Sequence, residues 1–406
     1  MVKRNPHIAK LNAGYLFPEI VKRRRLFLEK NPHAQLISLG IGDTTEPLPL
    51  MIAQELSSSA NALATEEGYT GYGPEEGMQE LRQRILKELY NNHFNPDEIF
   101  ISDGTNSDIG RLQILFGSQA TVAVQDPSYP VYVDTSVILG QTADFHSALS
   151  GYQGISYMPC TPLNDFFPEL KKMKRTDLIY FCSPNNPTGA VATHDQLKQL
   201  VAFAKMNHSI IIFDAAYASY IQDSTLPHSI YEIEGAKEVA IELGSFSKMA
   251  GFTGLRLAWS VVPKELTFEG GHSVNQDWNR VHSTFFNGAT NIVQKGGMAV
   301  LKPNGQRSIQ TLIEHYMTNA SILKQTLEEV GYTVYGGKNA PYIWVHFPHF
   351  SSWQVFDFLL EKASLICAPG SGFGPAGEGF VRFSAFGKRH HIEEAARRLK
   401  TLLKNV

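Results

Sequence analysis

Lys248 follows two serines in Ser245-Phe246-Ser247-Lys248-Met249-Ala250-Gly251-Phe252-Thr253-Gly254-Leu255-Arg256, after the apolar, strand-like run Val239 to Leu243. A lysine buried at such a place loses solvation, so its pKa falls and the free amine can condense with a carbonyl. Ser245, Ser247 and Arg256 supply hydroxyl and guanidinium donors, and an arginine fork matches phosphate oxygens in pairs. A carbonyl-capturing lysine beside a phosphate cradle is what pyridoxal 5'-phosphate (PLP) requires. Taken alone, the segment is equally a surface loop whose lysine is solvated.

Two more strand ends carry complementary groups. Ile210 to Phe213 is an apolar run of the kind a doubly covered parallel strand shows, and it stops at Asp214. A carboxylate at the carboxyl end of a buried strand faces the ligand crevice of an open α/β sheet, where it can hold a pyridine nitrogen protonated. Tyr217, three residues on, can present its phenol to the 3'-oxygen of that ring. A second run, Leu178 to Cys182, leads into Ser183-Pro184-Asn185-Asn186-Pro187-Thr188-Gly189, a turn that frees the Asn186 side chain to donate to the same oxygen. An N-cap role for Asp214 is the alternative for that residue alone.

Asn-Pro-Thr-Gly, then Asp-x-x-Tyr, then Ser-x-Ser-Lys-x-x-Gly-x-x-Gly-x-Arg, in this order, resembles the class I/II aminotransferases of PLP fold type I. Narrower segments, Asn12 to Phe17, Leu39 to Pro47 and Gly71 to Gly77, resemble the branch of that family acting on LL-2,6-diaminopimelate. The resemblance covers nearly the whole chain. It implies a homodimer whose sites are completed by both subunits, with amino acid and 2-oxo acid substrates. It also implies an amino-terminal arm over residues 1–45, a large PLP-binding domain over 46–287, and a small α+β domain over 288–406. Alternation of apolar strands and helical segments independently predicts an α/β fold, a mainly parallel sheet with helices on both faces.

Further site residues fall along this frame. Ile99 to Ser102 reads as a strand leading through Asp103-Gly104-Thr105-Asn106 into a helix from Ile109 to Phe116, and a helix start presents unpaired amides to a phosphate. Thr105 and Asn106 are therefore assigned to the phosphate cup; Asn106 departs from the lysine that the resemblance implies there. Tyr129, after the strand Val122 to Gln125, is placed to stack on the pyridine ring. Arg382 stands among apolar residues in Phe380-Val381-Arg382-Phe383-Ser384, where an unpaired guanidinium is expensive, so it calls for an anion such as an α-carboxylate. Resemblance adds Gly42 at that carboxylate, Tyr72 reaching the neighbouring subunit's phosphate, and Asn287 across the dimer interface near cofactor and substrate. By the same resemblance Glu75 meets the distal ammonium of diaminopimelate, with Tyr15 and Asn287 also reading that end. Between these landmarks the alternation predicts strands carrying Asp214, Lys248 and Arg256, and the spacing predicts a long helix over Gly288 to Leu301 and another around Thr311 to Val330.

Composition excludes several classes. A formal charge of -3 over 406 residues gives no global attraction to nucleic acid or to anionic membrane. The basic run Lys22-Arg23-Arg24-Arg25 is short and is read as a solvated helix face. Three separated cysteines without a C-x-x-C suggest neither disulfides nor zinc, and with no apolar leader or membrane span the expectation is a cytoplasmic protein. Gly372-Phe373-Gly374-Pro375-Ala376-Gly377 matches G-x-G-x-x-G but leads into the Arg382 strand, so a dinucleotide site is rejected. Two functional alternatives stay open: another class I aminotransferase, for aspartate, aromatic or aliphatic amino acids, and the PLP-fold effector module of a regulator.

Overall fold

The computed structural model describes residues 1–11 and 16–404. Its centre is a seven-stranded sheet in the order Ile99–Ser102, Ala258–Val261, Ala240–Ser245, Ile210–Asp214, Leu178–Cys182, Val122–Asp126, Ile155–Pro159. Ala258–Val261 runs antiparallel to both neighbours and the remaining pairings are parallel, as alternation of strands and helices predicts.

Side chains of a strand point alternately to opposite faces, and here both faces are apolar. Val122, Val124, Leu178, Tyr180, Ile212, Ile241 and Leu243 enter one cluster with Leu112 and Trp278 from the helices Thr105–Phe116 and Val274–Phe285. Ala123, Ile179, Phe181, Ile211 and Phe213 enter another with Leu197 and Val201 of the helix His194–Asn207. Burial on both sides explains why these strands read as continuous apolar runs rather than alternating ones. It also puts their carboxyl ends, at Asp126, Cys182, Asp214 and Ser245, along one edge of the sheet.

A second, antiparallel sheet is ordered Val334–Gly336, Tyr342–His346, Phe380–Ser384, Ala368–Pro369. It packs against the helices Pro303–Glu329, Ser352–Ala363 and Arg389–Leu403 through Leu323, Phe356 and Ile392. Near the amino terminus, Ile37–Ser38 pairs in parallel with Leu365–Ile366, and Arg23 of the helix Leu16–Lys30 pairs with Glu19 and Asp357 and lies 4.4 Å from the Trp353 ring. Three of the four residues of the basic run are thereby paired, with Lys22 also near Glu19 and Arg25 near Glu29.

Two expected boundaries are corrected. The helix after Asn287 is short, Asn291–Val300, and the long helix is Pro303–Glu329, 27 residues that begin well before Thr311. A proline in the first turn costs no hydrogen bond and is preset for helical φ, so Pro303 starts this helix rather than interrupting one. Arg256 was expected on a strand with Asp214 and Lys248. It sits instead in the loop before Ala258–Val261 with φ of 62°, and Lys248 lies in the four-residue helix Phe246–Met249.

Candidate active site

A cleft of about 510 Å³ opens at the carboxyl edge of the large sheet, and its lining contains Lys248, Asp214, Asn186, Tyr217, Tyr129, Thr105, Asn106, Ser245, Ser247, Arg256, Gly42 and Arg382. Residues 42 to 382 of the sequence thus converge on one space because the strand ends do.

The Lys248 amine donates to the Gly42 carbonyl and lies 5.7 Å from the Phe386 ring. Burial pushes its pKa down to about 8; Asp43 opposes that shift, while Arg382 and Arg256 add to it. The free amine is therefore accessible near neutral pH. Capture of PLP by the cofactor-free protein should speed up as pH rises and level off above about 8, because only the unprotonated amine attacks. Stopped-flow absorbance at a series of pH values checks this, and a rise continuing to the ordinary lysine range would contradict it.

Asp214 is buried at its strand end, with Oδ2 accepting from the Tyr132 hydroxyl at 2.7 Å and Oδ1 from the Ala216 amide at 3.0 Å. Desolvation raises its pKa, partly offset by those two donors. Those two donors favour the ionised carboxylate, whose negative charge is what a protonated pyridine nitrogen needs beside it. Tyr217 hydrogen-bonds Tyr342, hydroxyl to hydroxyl at 2.7 Å, and burial holds its phenol far above the usual range and so protonated.

At the other end, Ser245 Oγ accepts from the Ser247 amide at 3.1 Å, and Arg256 donates to Ser247 Oγ at 3.3 Å and to the Thr253 carbonyl at 3.0 Å. Opposite them Gly104 is the N-cap of Thr105–Phe116; it provides no side-chain cap, so nothing on the cap side competes for the first amides. Gly104 has φ of 125°, and a Cβ there would overlap the Arg256 guanidinium. Only glycine lets the helix start and the arginine come this close. Asn106 Nδ2 donates to the Tyr129 hydroxyl at 3.3 Å.

Arg382 is 1% exposed. It donates to Asn186 Oδ1 at 2.5 Å and to the Gly40 carbonyl at 2.6 Å, lies 4.3 Å from the Tyr342 ring and 4.9 Å from the Phe373 ring, and its Nε has no partner. Neither of these acceptors is a carboxylate. Burying a lone cation costs several kcal/mol, so the site is built for an incoming anion.

The family described as aminotransferase class I and II matches residues 34–399. The chain belongs to this family. LL-diaminopimelate aminotransferase of Protochlamydia amoebophila is 59% identical over 406 residues, spanning 100% of this chain and 99% of that protein. The chloroplastic LL-diaminopimelate aminotransferase of Arabidopsis thaliana is 56% identical over 99% of this chain and 87% of its own. The solved L,L-diaminopimelate aminotransferase of Chlamydomonas reinhardtii superposes with a TM-score of 0.95 at 58% identity, covering 98% of both chains. Aspartate aminotransferase of Thermotoga maritima, at 20% identity and a TM-score of 0.83, shares the fold.

Class I and II aminotransferases depend on PLP, and the residues here fit it. A depressed amine, a buried basic carboxylate and an anion cup stand in one cleft, and the Gly104 approach leaves no room for a side chain between cup and arginine.

Sequence reasoning missed Tyr132, Tyr342, Phe373 and Phe386, which support Asp214, Tyr217, Arg382 and Lys248 in turn. It placed other residues that one chain does not bring to the cleft. Tyr72, 94% exposed, and the exposed Glu75 and Asn287 lie outside the lining. They share a different surface: Asn291 donates to Thr70 Oγ1 at 3.0 Å and to the Gly71 carbonyl at 3.1 Å, and Gly288 abuts Pro74 and Glu75. Tyr15 lies outside the described residues.

Proposed function

We propose that the chain transfers an amino group between LL-2,6-diaminopimelate and 2-oxoglutarate, equivalently between glutamate and tetrahydrodipicolinate, in the synthesis of lysine or peptidoglycan precursors. The observation that carries this is identity of 59% along the whole chain to a protein of that name, coupled to a cleft that brings Lys248, Asp214, Asn186, Tyr217 and Arg382 together. PLP supplies an electron sink for the bond broken at the substrate's α-carbon. Lys248 would hold the cofactor through its amine, and that amine, when free, would serve as the base and then the acid that moves the substrate's α-proton. Asp214 keeps the proton on the ring nitrogen, Asn186 and Tyr217 donate to the ring oxygen, and Tyr129 holds the ring plane. Thr105, Asn106, Ser245, Ser247 and Arg256 hold the phosphate. Arg382 takes the α-carboxylate beside Gly42.

Tyr72, Glu75 and Asn287 belong to the partner's site in a homodimer, with Tyr15 joining Glu75 and Asn287 around the distal amino and carboxyl groups. Their exposure on one face, away from their own cleft, supports that placement. Division at residues 45 and 287 into arm, large domain and small domain, and a cytoplasmic location, complete the proposal; among the described residues no helix is long and apolar enough to cross a membrane.

A substrate panel followed by the absorbance change that accompanies amino transfer to the cofactor tests it. Diaminopimelate and glutamate should react, and aspartate and aromatic amino acids should react far more slowly. Glu75→Gln should lower kcat/KM for diaminopimelate by about 10²-fold, the scale of a lost charge-assisted hydrogen bond, while glutamate changes little. Equal losses for both would remove the distal-ammonium role.

A further inference from the structure

The Gly372–Gly377 segment, discarded as a dinucleotide motif, has a place in this site. Its backbone touches the loop that carries the stacking ring: the Ala376 amide donates to Asp126 Oδ1 at 3.0 Å and Oδ2 at 3.1 Å, and the Ser128 amide donates to the Phe373 carbonyl at 2.8 Å. Asp126 ends the Val122–Asp126 strand, and Ser128 immediately precedes Tyr129. On its other side the segment carries Phe373, whose ring faces the Arg382 guanidinium at 4.9 Å and meets Trp344 edge-on at 6.2 Å.

Asp126 is only 3% exposed, yet no cation pairs with it among the described residues; its carboxylate accepts from the Ala376 amide. A buried carboxylate spent on one backbone amide is costly for a surface turn. The fit is also close. Gly374 has φ of 135°, and a Cβ there would collide with Asp126 Oδ1.

We propose that this turn is a strut joining the large-sheet stacking loop to the carboxylate-binding arginine, with Asp126 and Phe373 as positioning residues for Arg382. Asp126 fixes the turn, the turn fixes Phe373, and Phe373 forms one of the two aromatic walls against which the guanidinium is set. The strut keeps the carboxylate pocket at a constant distance from the ring that Tyr129 covers. The inference rests on the aminotransferase assignment of Arg382 but is testable apart from turnover.

The test is calorimetric binding of glutarate, which has the carboxylates of 2-oxoglutarate and no reacting group, to the PLP-loaded protein. Asp126→Ala and Phe373→Leu should each raise its Kd roughly tenfold, the scale of one buried hydrogen bond or cation–π contact. PLP affinity should change less than threefold or so, because the phosphate cup is untouched. Asp126→Asn keeps an acceptor for the Ala376 amide and should recover most of the glutarate affinity. Unchanged glutarate Kd in both variants overturns the strut, as does an equal loss of glutarate and PLP affinity, the signature of a merely loosened fold. Should Asp126→Ala not fold, Phe373→Leu leaves both backbone contacts in place and decides alone. A wild-type protein that binds glutarate but transaminates nothing would instead sink the function and leave the strut standing.

Discussion

Replacing Lys248 with alanine should lower kcat at least about 10⁴-fold, the upper range for loss of a general acid–base, because anchor and proton carrier vanish together. No neighbour can substitute. The amine is singled out by its depressed pKa of about 8 and by its seat against the Gly42 carbonyl and the Phe386 ring. Stability should not fall with activity, since the deleted ammonium is one that burial disfavours. Single-turnover kinetics beside a thermal melt separates the two. A variant that is inactive and also unfolded would leave the role of the side chain unproven, so Lys248→Arg serves as the second arm: it keeps charge and bulk but cannot release a free amine at neutral pH, and it should be equally inactive.

The second large effect is expected at Asp214→Asn, with kcat down about 10²- to 10³-fold, the scale of removing one preorganised electrostatic group from a water-poor site. The substitution is nearly isosteric, and its amide oxygen can still accept from Tyr132, so the hydrogen-bonded shape is kept while the charge is lost. What disappears is the negative charge that would favour a protonated ring nitrogen. Loss should fall on kcat, with KM nearly unchanged, because Arg382 and its pocket lie elsewhere in the cleft. A loss under tenfold would mean that the carboxylate does not face the ring nitrogen.

Groups legible in the sequence were those carried by strand ends. Asp214, Asn186 and Lys248 each follow an apolar run, and a parallel sheet buried on both faces brings such ends together whatever lies between them. The place of Thr105 and Asn106 in the cleft was legible for a similar reason, since a helix that starts right after a strand end stays beside it. Supporting residues were not. Tyr132 reaches Asp214 across 82 positions and Tyr342 reaches Tyr217 across 125, contacts that local spacing cannot encode. Arg382 was legible as a misplaced charge among apolar residues, but its aromatic walls were hidden because Phe373 sits inside a motif that looked like something else. The start of the long helix was missed because Pro303, a first-turn proline, marks a beginning that apolar spacing alone does not show.

The central claim is that the Lys248 side chain forms the covalent link to pyridoxal 5'-phosphate. Treating the PLP-loaded protein with borohydride and mapping its peptides by mass spectrometry tests it directly. The account predicts one fixed pyridoxyl group, on the peptide containing Lys248, and none after prior incubation with diaminopimelate. A group fixed on another lysine, or no fixed group in protein that has bound the cofactor, would contradict it.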